Sequence, residues 1–76
     1  MKQATETFRR IACNELIDLE GRLLTLYVVE LRNGIPSAHY PLSEEIPNTE
    51  WMTGRVEIKK DGDGIVRAFY KGNLIT

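Results

Sequence analysis

Two adjacent residues, Asn33 and Gly34, constrain this chain more than any other feature. They stand between Arg22 to Arg32 and Ile35 to Tyr40, stretches rich in branched and aromatic side chains that suit a pleated surface. A two-residue loop between antiparallel strands needs positive φ at both positions, and Asn-Gly meets that need at little steric cost. A type I′ hairpin follows, and its register follows from the turn. Arg32 faces Ile35, Leu31 faces Pro36, Glu30 faces Ser37, Val28 faces His39 and Tyr27 faces Tyr40. Pro36 then occupies a position whose N–H would point away from the partner strand, and Pro41, opposite Leu26, ends the ladder.

The rest of the chain is punctuated in the same way. Phe8 to Leu16 reads as a first strand, with Ile11 and Cys13 on one side and Arg10, Ala12 and Asn14 on the other. Asp18-Leu19-Glu20-Gly21 reads as a turn. Trp51 to Lys60 alternates, with Met52, Val56 and Ile58 on one face and Thr53, Arg55, Glu57 and Lys59 on the other. Asp61-Gly62-Asp63-Gly64 closes a second hairpin onto Ile65 to Lys71. Between the hairpins, Leu42 to Glu50 is a crossing loop with room for one short helical turn from Ser43 before Pro47 stops it. Residues 1–7 are polar and aperiodic and read as a flexible tail. The expected fold is all-β: one small domain over residues 8–76, with about five mostly antiparallel strands forming a curled sheet, a sandwich or an open barrel.

With only 76 residues, such a domain has a thin core. The strand before Asn33 is nevertheless apolar on both sides. Leu23, Tyr27, Val29 and Leu31 form one row, and Leu24, Leu26 and Val28 form the other. Either the sheet curls to enclose both rows, or one row meets another chain. The expected interface residues are Leu24, Leu26 and Val28, with His39 facing Val28, and Trp51, which alternation directs away from Met52, Val56 and Ile58.

Chemistry is constrained mainly by exclusion. The net charge is −1, so no overall positive field gathers a phosphate backbone. Residues 1–54 carry five basic and eight acidic groups, and residues 55–76 carry five and three, an asymmetry that ordinary surface patterning explains. The single cysteine, Cys13, cannot form an internal disulfide. With His39 the only histidine, no ligand set for structural zinc exists. Cys13 reads as a small buried thiol, and His39 as a surface residue without an orienting partner. Glu44-Glu45 reads as a solvated pair. Asp61 to Gly64 lacks the further oxygens and closing Glu of a calcium loop. Tyr27, Tyr40, Trp51, Phe69 and Tyr70 could stack bases only if they shared an exposed face with Arg55, Lys59, Arg67 and Lys71. The first residues contain no apolar segment, and no window approaches 18 apolar residues, so the expectation is a cytoplasmic protein with no membrane association.

Several stretches resemble the N-terminal β segment that precedes the catalytic barrel in metal-dependent hydrolases of the amidohydrolase superfamily. They are Arg10-Ile11-Ala12, Gly21 before a long strand, Val28 to Ile35, and Gly54-Arg55-Val56, together spanning about residues 9–58. The resemblance implies a stand-alone relative of an accessory β-sandwich that holds no metal ligands. The His-x-His that follows in those enzymes is missing here, as is the barrel. The functional expectation is a noncatalytic protein-interaction or self-association module with no cofactor and no small-molecule substrate, its partner a second copy or another protein. A small nucleic-acid-binding β-barrel is the alternative.

Overall fold

The computed structural model describes residues 6–76, which form six strands: β1 (Phe8–Ile17), β2 (Leu23–Arg32), β3 (Ile35–Pro41), β4 (Glu50–Lys60), β5 (Val66–Tyr70) and β6 (Asn73–Leu74). They make one sheet in the order β3-β2-β1-β4-β5-β6. Every neighbouring pair is antiparallel except β1 and β4, which run parallel. The all-β expectation holds, with one more strand than expected. Residues 1–5 of the expected tail lie outside the described residues. Its last two residues are engaged: Glu6 pairs with Arg32 at 2.7 Å, and Thr7 donates its N–H to Asn33 Oδ1 at 2.9 Å.

The turns behave as their residues dictate. Asn33 (φ 54°) and Gly34 (φ 77°) make the type I′ turn, with Arg32 opposite Ile35. Asp18 and Asp61 each open a loop built to one plan. The Asp N–H bonds the carbonyl four residues on, its carbonyl takes the N–H of Gly21 or Gly64, and its Oδ1 accepts the N–H groups two and four residues on. This is the three-residue hairpin loop with a left-handed glycine. Lys71 (φ 52°) and Gly72 (φ 80°) form a further tight turn, which makes the short β6.

Bulges overturn parts of the expected register. One lies in β3 between Pro36 and Ala38, so Glu30 faces Ala38, Val29 faces His39, Val28 faces Tyr40 and Tyr27 faces Pro41. One extra residue reverses the alternation beyond it. Tyr40 therefore leaves the face of Tyr27, and His39 joins it, their ring centroids 6.0 Å apart. A second irregularity runs across three strands at one level. Leu26 in β2 has φ 51°, the β1 register shifts between Cys13 and Glu15, and Gly54 in β4 has φ 109° and donates its N–H to Asn14 Oδ1 at 2.7 Å.

The sheet curls until β3 and β5 touch across its concave side without closing into a barrel. Ile11, Cys13, Leu16, Val29, Leu31, Val56, Ile58 and Ala68 fill that side. The chain end closes it: Ile75 donates its N–H to the Ala68 carbonyl at 2.9 Å and is buried. Beyond the left-handed backbone at Leu26, Leu24 turns to this core as well, which corrects its expected place in an outer row with Val28.

Val28 lies on the convex side and is fully buried by its own chain. The connection from β3 to β4 must pass over β2 and β1, and it lies across that face. Three inter-strand steps of about 4.8 Å separate its ends laterally. Pro41 sits level with Cys13 and Glu50 with Ile11, so the span is only about 16 Å, which residues 42–49 bridge as a strap with length to spare. No helical turn forms from Ser43; the chain bends at Glu44 and turns at Pro47-Asn48, where Asn48 has φ 57°. Of the expected outer row, Val28 alone is thus covered by the strap, while Leu24 joins the concave core and Leu26 stays half exposed.

Candidate functional site

The convex face carries one row in register across four strands: Tyr40, Val28, Ala12 and Trp51. Ala12 and Val28 are buried beneath the strap. Trp51 is half exposed, at 50%. Its indole N–H donates to Thr53 Oγ1 at 2.9 Å, satisfying the polar edge and leaving the ring face open. Between strap and indole lies a groove of about 560 Å³ with Ala12, Leu42 and Ile46 among its apolar lining and Glu44, Glu45 and Glu50 among its polar residues.

The strap is held at both ends. Leu42 donates its N–H to the Leu26 carbonyl at 2.8 Å, continuing the β3 ladder by one residue. Arg10 Nη1 donates to the Pro47 carbonyl at 2.9 Å, while its Nε bonds Glu30 Oε2 at 3.2 Å. Glu30 also accepts the Tyr40 hydroxyl. That hydroxyl first, and Arg10 after it, hold the Glu30 carboxyl below the usual carboxylate range, and the same bond pushes the Tyr40 hydroxyl up. At the start of β4, Arg9 grips Glu50 with two bonds of 2.8 and 2.6 Å and reaches the Thr76 carbonyl at 2.9 Å. Bidentate pairing of this kind fixes geometry as well as charge.

The five residues expected at an interface do not gather. Trp51 and Leu26 are half exposed, with Leu26 bonded through its carbonyl to the strap. Val28 is buried under the strap and Leu24 packs into the concave core. His39 is exposed on the concave side, in a shallow cleft with Leu19, Pro36 and Val66. Cys13 is buried there too; desolvation pushes its thiol up to about 11 against a smaller lowering by a Val56 backbone hydrogen bond. Asp61 is occupied by its own turn and by Arg67 at 3.5 Å. Among the described residues no group of three or more His, Cys, Asp or Glu is placed to hold a metal ion.

The cations and the exposed indole keep different company. Arg55 pairs with Glu15 at 2.9 Å, Lys59 lies 4.9 Å from the Phe69 ring centre, and Lys71 lies 5.4 Å from that of Tyr70. The groove residues Leu42 and Ile46 were not singled out by the sequence. Their signal is two apolar side chains in an otherwise polar connection, which must lie against something apolar. Compared with family models, with curated proteins and with solved structures, the chain matches none.

Proposed function

We propose that the protein is a noncatalytic interaction module that docks a segment of another chain in the groove between the strap and Trp51. Trp51 carries the reading. It is the only tryptophan and is half exposed beside an apolar groove, on a face where the residues in register with it, Ala12 and Val28, are buried. Tryptophans so placed are over-represented among residues that anchor protein contacts, because a large rigid ring entering a pocket loses little conformational entropy. The absence of catalysis is supported by the distribution of reactive groups: His39 and Cys13 both lie on the concave side, away from the groove. The nucleic-acid alternative has less support, since the groove has carboxylates beside its indole while Arg55, Lys59, Arg67 and Lys71 pair with other side chains or rings elsewhere.

The test is a photoreactive amino acid placed at Ser43, which is exposed and lines the groove, and, as a control, at the exposed Thr25, in the cells that make the protein. The expected result is an adduct, identified by mass spectrometry as another protein or a second copy, that forms at 43, not at 25, and disappears with Trp51→Ala. The same spread of adducts from both positions would refute the proposal.

A further inference from the structure

We infer that the groove takes a segment bearing lysine or arginine from another protein; this rests on the interaction reading above and names the chemistry of the occupant. Three features of the groove converge on that chemistry. Its apolar lining of Ala12, Leu42 and Ile46 accepts the aliphatic stem of a long cationic side chain, which stays apolar up to its charged head. The open Trp51 ring is the aromatic surface that attracts such a head most strongly. Glu44 and Glu45 also face the groove. Among the described residues neither has a cation within salt-bridge distance, whereas the nearby Arg9 and Arg10 are already committed to Glu50 and Glu30. Among the described residues, Glu44 and Glu45 thus leave unpaired negative charge next to apolar surface. An acidic or phosphate-rich partner would meet like charge there, and a purely apolar one would cover carboxylates without pairing them.

The experiment uses the full chain and an eight-residue peptide alternating lysine and valine. Two control peptides replace every lysine by glutamate or every valine by serine. The readout is Trp51 emission, which reports the groove directly because the chain has one tryptophan. The lysine-valine peptide is expected to shift the emission to the blue with saturation, the lysine-serine peptide, which keeps every cationic side chain, to shift it as well, and the glutamate peptide to leave it unchanged. Glu44→Gln combined with Glu45→Gln should weaken binding about two- to fivefold, as two rim charges worth a few tenths of a kcal/mol each would. Raising the salt to several times physiological should weaken it similarly. Both carboxylates are exposed, and a melting curve matching the wild type would show that the double variant folds. No shift with the lysine-valine peptide, an equal shift with the glutamate peptide, or an affinity unaffected by the double substitution would overturn the inference. A partner crosslinked at position 43 through an acidic or uncharged segment would overturn it too, while leaving the interaction module standing.

Discussion

The turn at Asn33-Gly34 can be tested by contrast with a glycine that makes no such demand. Gly34 is buried with φ +77°, and a Cβ built on it would lie 3.1 Å from Arg67 Nη1 and 3.6 Å from the Thr76 Cα. An L-residue in the left-handed region costs about 1–2 kcal/mol. The Arg67 contact can relax only by moving a guanidinium whose Nε lies 3.5 Å from Asp61. Gly34→Ala should therefore lose about 1–2 kcal/mol, which for a domain of this size lowers the melting temperature by roughly 5–15 °C. Gly34→Val should lose at least as much, because the branch adds bulk in the same place. Gly62 lies outside the left-handed region and a Cβ there meets nothing within 4 Å. Gly62→Ala restricts the unfolded chain without straining the folded one and should gain about 0.4–1 kcal/mol. Thermal melts followed by circular dichroism, with urea titrations as a second measure, read both shifts. If Gly34→Ala melts at or above the wild-type temperature, or Gly62→Ala falls as far as Gly34→Ala, the turn geometry and the register built on it are wrong.

Val28→Ala should destabilise the domain by about 1–3 kcal/mol because it opens a cavity beneath the strap, whereas Leu26→Ala at a half-exposed side chain should stay within about 0.5 kcal/mol; equal losses in urea titrations would contradict the burial of the row. Leu26→Gly should cost less than Thr25→Gly in the same assay, since Leu26 already holds φ 51° and glycine relieves that strain. Alkylation of Cys13 at pH 8 should be slow in the native protein and fast in denaturant. Because burial raises its folded pKa to about 11 from an ordinary 9.0, the unfolded chain gives up its proton first and stability should fall as pH rises from 9 towards 11. The carboxyls of Asp18, held by the Arg22 backbone N–H first, of Glu30, held by Tyr40, and of Asp61, held by the Ile65 N–H, lie below their usual range. Their stabilisation is present above about pH 4 and should be lost as pH falls below it, which acid titration of the melting temperature checks.

Turns and strands were legible in the sequence to the degree that their requirements are local. Asn33-Gly34 needs only two positive φ values, and Asp18 and Asp61 each bond within the next four residues, so no distant partner has a vote in where those reversals fall. The β2 segment is likewise written in its own branched and aromatic residues, and the exposure of Trp51 in its alternation with Met52. Only the tertiary structure decided which face Tyr40, His39 and Leu24 take. A single extra residue at Ser37, and the left-handed turn of the backbone at Leu26, reverse the alternation beyond them, and such bulges are selected by how much of the whole sheet they bury. The parallel pairing of β1 with β4 brings together residues some 40 positions apart, as in Ala12 with Trp51. That pairing sends residues 42–49 across the convex face, which buries Val28 within one chain and leaves the groove beside Trp51 open. A period of two along a strand can show that both sides are apolar, but what covers each side depends on a connection whose path is set by strands it does not touch in sequence.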